Sequence, residues 1–235
     1  MPRPDPMAPG AGPVFRWRGL TASGPEPVAV PDLEIAPGEI ALVLADDDRV
    51  LASLGLAASG QAEAQGDVRW FGRERPHAGD FEDILKFYRE IAYVGPDSRP
   101  IANRTLMETL CFELEYNQMA DRGDARRLAL ECLETLGLTP MANLSPEKLA
   151  GPAGYVAMMA LAVSRRPGFL VLERPMTLFR PLFFHRLMEA LRANARPTGQ
   201  AALILGRKGL PYRPGDFDRV VPLDGPGPHP TDGLA

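Results

Sequence analysis

The chain has 235 residues, 45% of them hydrophobic, with 26 basic against 30 acidic side chains and a formal charge of −4. That length and apolar content build a sizeable core in one domain, or one domain with a subdomain, and the scattered basic residues leave no electrostatic footprint for nucleic acid. No apolar run approaches the roughly 20 residues that span a bilayer, and Cys111 and Cys132 lack CxxC or Cys/His ligand spacing, so two reduced thiols in a reducing cytoplasm are expected.

In chain order, residues 1–13 (MPRPDPMAPGAGP) have no apolar h-region and read as a flexible tail. Strand candidates bounded by turn residues follow at Val14–Arg18, Val28–Ile35 and Glu39–Leu44. The stretch LVLADDDRVLAS, Leu42 to Ser53, then runs through three adjacent aspartates into a helical pattern over Arg49–Ala58. A strand over Val68–Phe71, a helix over Phe81–Tyr88 and a strand over Ile91–Val94 come next. Helical patterns without an intervening strand cover Thr105–Tyr116, Asp124–Leu136 and Ala153–Ser164. In the second of these, Leu128, Cys132, Leu133 and Leu136 share a face and Gly137 stands as a C-terminal cap. Strands over Phe169–Leu172, Ala201–Leu205 and Arg219–Pro222 then flank a helix over Pro181–Ala193, and residues 223–235 read as a second tail. The pattern predicts an α/β body over residues 14–222 with an inserted helical part at about 96–165.

Taken in this order, the phrases resemble an ATP-binding cassette, the ATPase subunit of ABC transporters. LEIAPGEIALVL resembles the strand that enters a Walker A loop, and QGDVRWFGRE the glycine-marked hairpin after the first helix. REIAYVGPDSRPIANRTLMETLCF is similar to the strand, Q-loop and first helix of the helical subdomain. ALECLETLGLTPMANLSPEKLAGPAGYVAMMALAVSRRPGFLVLERP resembles the run from there through the signature motif to Walker B. Short segments of the helical part most resemble the cassettes of MCE-type lipid transporters. The resemblance implies an ABC-type nucleotide-binding-domain fold: a P-loop-like core sheet, an antiparallel β part and an inserted α-helical subdomain.

The departures from the family pattern all run one way. Walker A, GxxxxGK[ST], uses glycines to bring backbone N–H groups around phosphates, a lysine for the β/γ-phosphates and a hydroxyl for Mg²⁺. The matching positions here hold Ala45, Val50, Leu51 and Ala52, with Asp46, Asp47 and Asp48 in the loop; Ser53 supplies a hydroxyl only if the helix slips by one residue. Each lost charge-assisted contact costs roughly 1.5–3 kcal/mol, so three such defects together cost on the order of 6 kcal/mol, enough to take micromolar binding beyond about 10 mM. Pro96 stands at the Q-loop glutamine and has no side-chain donor or acceptor. Ala150 and Pro152 replace signature residues around the retained Gly151, and Pro152 lacks the N–H that a glycine would aim at a γ-phosphate. Glu173 matches the Walker B aspartate, but Arg174 occupies the place of the catalytic glutamate, where a permanent cation cannot act as a general base. Arg180 and Arg207 fall at the D-loop aspartate and the switch histidine.

Plainer readings of the remaining features are preferred. Consecutive aspartates diverge, whereas calcium loops alternate their ligands, so Asp46–Asp48 reads as a solvated acidic turn. His77, His185 and His229 lack metal spacing, and Met158 to Val163 reads as helix core. Arg165, Arg166, Arg207 and Lys208 read as exposed basic ends of elements; the sharper alternative has Arg174, Arg180 and Arg207 neutralising Asp46–Asp48 across the old site.

The expectation is a catalytically inactive cassette-like subunit with no cofactor. It would act as a structural or regulatory module on a membrane permease of a lipid transport system, with another cassette subunit or a second copy as further partners. It would sit in the cytoplasm, peripheral at the inner face of the membrane. The candidate docking residues are Pro96, Arg99, Ile101, Asn103 and Met107. The alternative is a nucleotide-binding ATPase with non-canonical motifs, needing ATP and Mg²⁺ and a lysine that reaches the loop; Lys86, the nearest in sequence, lies beyond the first helix.

Overall fold

The computed structural model describes residues 12–24, 27–77, 79–98, 103–116, 120–135, 137–145, 148–149, 152–178 and 181–223. The first of its two sheets is antiparallel and centred on β1 (Phe15–Ala22), which pairs with β2 (Val28–Ala29), β3 (Leu33–Ile35) and β5 (Gln65–Trp70). The expected single strand over Val28–Ile35 is two short ones. Pro31 between them has no N–H for a ladder, and its carbonyl accepts a 2.8 Å bond from Trp17 Nε1.

The second sheet is parallel throughout, in the order β6 (Ile91–Val94), β7 (Phe169–Glu173), β8 (Ala201–Arg207), β4 (Ile40–Ala45) and β9 (Arg219–Pro222). Its inner strands are continuous apolar runs because both faces are covered. Alternate residues serve two cores. Ala41, Val43, Phe169, Val171, Leu203 and Leu205 pack toward α1 (Asp48–Ala58) and the antiparallel sheet. Leu42, Val94, Leu170, Leu172 and Ile204 pack toward the helices of the other side.

Those helices include α3 (Leu106–Tyr116), α4 (Arg122–Thr135) and α5 (Pro152–Ser164), inserted between β6 and β7, and α7 (Pro181–Thr198) between β7 and β8. The short α2 (Phe81–Glu90) precedes β6, and a single turn, α6 (Pro175–Leu178), follows β7. A reciprocal cap starts α3: Thr105 N–H donates to Glu108 at 2.8 Å, and Glu108 N–H donates to the Thr105 hydroxyl at 3.2 Å. In α4 the fully buried stripe is Ala125, Ala129 and Leu133, with Leu128 and Cys132 at its margin; Leu136 lies outside the described residues. Alanines at i and i+4 of this stripe let α4 approach its neighbours closely, while Gly137 takes the left-handed φ of 69° expected of the cap. Cys111 and Cys132 are free and partly buried, and burial pushes the Cys132 thiol up to about 11.

Most of the two expected tails lies outside the described residues, with one correction. Leu223 belongs to the body: it is 2% exposed and donates its N–H to Leu44 O at 2.7 Å, extending the β9 pairing past Pro222. Among the described residues no helix is long and apolar enough to cross a membrane.

Candidate functional site

The site lies at the carboxyl ends of β4, β7 and β8. β4 ends at Ala45 and α1 begins at Asp48, so only Asp46 and Asp47 join them. Of the positions that would have formed a phosphate-wrapping loop, those from Asp48 onward are therefore already helical. Asp47 is the N-cap: its carboxylate accepts the Arg49 N–H at 2.7 Å and its carbonyl accepts the Leu51 N–H at 3.2 Å. Two backbone donors that an anion would use at this helix start are thus engaged within the chain.

Val50 and Leu51, 3% and 0% exposed, face the core from α1, and Ala52 is half-buried. The Ser53 hydroxyl accepts the Ser23 N–H at 3.0 Å and ties α1 to the end of β1, which answers the one-residue slip. The three aspartates find three different partners. Asp47 caps the helix, Asp46 pairs with Lys208 Nζ at 3.2 Å, and Asp48 Oδ2 lies 2.5 Å from Arg174 Nη1. Arg207 Nη1 stands 4.0 Å from Asp48 Oδ1. The expected neutralisation across the site thus holds for Arg174 and, at the limit of ion-pair range, for Arg207; Arg180 is outside the described residues.

Glu173, at the end of β7, is 1% exposed and fully engaged. Tyr93 of β6 donates its hydroxyl to Oε2 at 2.5 Å, and Arg174 donates Nε to Oε1 at 3.1 Å. Burial first, then the hydrogen bond and the charge of Glu173, hold the Tyr93 phenol well above its ordinary range. The buried Tyr155 hydroxyl lies 2.9 Å from the Glu173 carbonyl and 3.1 Å from that of Val94, bridging the strand ends. Gly55 of α1 leaves the room this needs, since a Cβ there would stand 2.9 Å from Tyr93 Cε2 and 3.1 Å from Glu173 Oε2. Arg174 itself adopts φ 51°, an uncommon left-handed conformation for a side-chain-bearing residue, with its N–H bound to Leu205 O at 2.7 Å.

A metal–phosphate group does not fit this arrangement as it stands. Its acidic ligand position holds two protein donors, and the loop holds carboxylates where phosphate oxygens would go.

The other expected residues divide. Pro96 is half-buried in the turn after β6, where Ser98 Oγ accepts the Gly95 N–H at 2.9 Å. Asn103 is exposed at φ 72°. Met107 is corrected: at 6% exposure it is a core residue under α3 and offers no docking surface. Arg99, Ile101, Ala150 and Gly151 lie outside the described residues, and Pro152 opens α5. Sequence reasoning missed Tyr93 and Lys208. Lys208 also corrects the expectation that no lysine reaches the loop: it arrives from the end of β8, its N–H bound to Ala45 O at 3.0 Å.

No protein-family model matches the chain. The thiamine import ATP-binding protein ThiQ of Cereibacter sphaeroides is 26% identical over 74% of this chain and 73% of its own length. The lipoprotein-releasing system ATP-binding proteins LolD of Novosphingobium aromaticivorans and Pseudomonas syringae are 27% and 28% identical, over 82% and 86% of this chain and 85% and 89% of theirs. Among solved structures, cbiO1 from Clostridium perfringens, part of the ABC transporter complex cbiONQ, superposes with a TM-score of 0.72 at 15% identity, covering 91% of this chain and 85% of that one. The ATP-binding cassette MJ0796, in a dimeric post-hydrolysis state bound to ADP and Pi, superposes with a TM-score of 0.70 at 16% identity, covering 89% and 94%. The two sheets with their helical insert are thus the architecture of an ABC nucleotide-binding domain. In sequence the chain is similar to the ATP-binding subunits of ABC transporters, and the solved structures share its fold.

Proposed function

We propose that this chain is a cassette subunit that works without nucleotide, as a structural or regulatory module docked on the membrane permease of a transport system. The observation that carries the reading is the Arg174 guanidinium, which bridges Asp48 and Glu173 where ligand charges would otherwise join α1 to β7. A second, independent support is the helical start at Asp48, which leaves only Asp46 and Asp47 between β4 and α1, too short a loop to wrap a phosphate. The fold is then held closed by its own ion pairs, and its contribution to a complex is shape and contact. A lipid or lipoprotein transport system is the favoured setting, since two relatives are lipoprotein-releasing proteins. The module would sit at the cytoplasmic face of the membrane beside a permease, with a second cassette subunit or a copy of itself.

The test is calorimetric and thermal-shift titration of the full chain with Mg-ATP up to millimolar concentration. The expected result is neither saturable heat nor stabilisation. A second reading, nucleotide binding through non-canonical residues, is favoured by one observation: Lys208 Nζ lies 3.2 Å from Asp46 in the loop. Saturable micromolar binding that disappears in Lys208→Ala would establish that reading in place of the first.

A further inference from the structure

The hairpin that carries β5 starts closed and then opens. Phe71 (φ 52°) and Gly72 (φ 74°) make its two-residue turn, and Trp70 and Arg73 exchange N–H···O bonds of 2.8 and 2.9 Å. Past that bridge the returning arm makes no further pairing with β5 among the described residues, and Pro76 has no N–H with which to rejoin a ladder. Between the arms lies a groove of about 530 Å³, within the size range of ligand sites. Its walls include Gly66 and Val68 of β5, Arg75 and His77 of the returning arm, and Ile84 and Phe87 of α2.

Three features of this groove converge. Trp70 turns its backbone toward Arg73, away from β1, so Val68, two positions earlier, turns its N–H and C=O the same way, where no described strand pairs with it. The floor is apolar: Phe87 is 8% exposed, Ile84 is half-buried, and the apolar surface continues along α2 through Leu85 and Phe81, 38% and 72% exposed. On the far wall Arg75 is exposed and has no carboxylate within ion-pair distance among the described residues, while Glu63, also lining the groove, disfavours a uniformly acidic occupant.

We infer that this groove docks an extended peptide segment of a partner protein. The segment adds a strand to β5 at Val68, sets an apolar side chain against Ile84 and Phe87, and places a carboxylate against Arg75. The surface lies at the far end of α1 from the phosphate position, about 16 Å away by helix length. It therefore stands whether or not nucleotide binds.

The probe is a phage-displayed random decapeptide library, panned on the full chain and counter-panned on Arg75→Glu, with the recovered consensus resynthesised with and without a central proline. The consensus should alternate apolar residues around a carboxylate. Its affinity by fluorescence anisotropy should fall roughly 10-fold or more in Arg75→Glu and with the proline peptide. The Val68 amide should exchange freely in the unliganded chain and slow on binding. Three results overturn the inference: no sequence separating native chain from variant, binding indifferent to the proline, or a Val68 amide already protected without peptide. The last would mean that this chain or a second copy covers the edge.

Discussion

Arg174 reaches Asp48 across 126 positions of sequence, Nη1 to Oδ2 at 2.5 Å, and with its Nε holds Glu173 at 3.1 Å. One guanidinium thus neutralises the first residue of α1 and the last residue of β7. Under the proposed function, this ion pair stands where a ligand would otherwise join the two elements.

Because the Glu173 side chain is 2% exposed, removing its cation leaves a buried, unbalanced carboxylate. Arg174→Ala should lower unfolding free energy by about 3 kcal/mol. Asp48 is 41% exposed on its side chain, so Asp48→Asn should cost under about 1 kcal/mol. Urea unfolding of both single variants and the double variant measures this. Equal losses for the two single changes would mean that the network is not organised around Glu173.

Restoring the family letters should not restore nucleotide binding. Leu51 is 0% exposed in α1, so Leu51→Lys removes a core leucine, a loss of about 2–5 kcal/mol, and buries an ammonium as well. The Leu51→Lys/Ala52→Ser chain should melt earlier and take up no Mg-ATP in calorimetry. Undiminished stability together with saturable binding would show that the loop can open into a phosphate cradle.

The same residue marks where reading by motif falls short. Val50, Leu51, Leu54, Ala57 and Ala58 recur at helical spacing and are buried together, so the core face of α1 was present in the periodicity. Alignment to a loop motif hid it. Met107, beside Leu106, Leu110 and Leu114 on the buried face of α3, was misplaced in the same way. The kinds and order of the elements were legible because strand and helix periods differ, and the Arg174 pairing was legible from charge reversal alone. Tyr93 was not: it sits in an apolar strand, and only the adjacency of β6 and β7, a tertiary fact, brings it to Glu173. Lys208 reads from sequence as an exposed basic end, and becomes a partner of Asp46 only because β4 and β8 run side by side to Ala45 and Arg207.

High pH should expose the Tyr93–Glu173 bond. Burial and the adjacent carboxylate raise the Tyr93 phenol above its ordinary 10.0; burial likewise raises Tyr155 well above that value and Tyr212 to about 12. Above pH ~10 the unfolded chain releases these protons while the folded chain keeps them, so stability present below ~10 is lost as pH rises through the folded values. In an absorbance titration these three tyrosinates should appear within the unfolding transition. Tyr93→Phe should cost roughly 1.5–3 kcal/mol at neutral pH and flatten the alkaline loss. A Tyr93 tyrosinate forming near ~10 with near-ultraviolet dichroism intact would show that the phenol is not held by Glu173.

The fit of α1 against that pair can be tested at Gly55. Helix propensity alone favours Gly55→Ala by up to ~1 kcal/mol. The added methyl, however, would meet Tyr93 Cε2 at 2.9 Å, Glu173 Oε2 at 3.1 Å and Leu205 Cδ1 at 3.4 Å. The ring cannot yield without stretching its bond to a buried carboxylate, and overpacking of this kind costs about 1–3 kcal/mol. Overpacking should win, leaving a net loss of about 1 kcal/mol and a melting temperature lower by roughly 2–4 °C. Gly123→Ala, near the start of α4, supplies the comparison, because the added methyl meets only Asp121 Oδ1 at 3.4 Å and propensity is left to act. The two substitutions should therefore shift the melting temperature in opposite directions. A parallel rise in both would mean that Tyr93 and Glu173 move apart at little cost, and that the site is held closed by its outer ion pairs rather than by the packing beneath them.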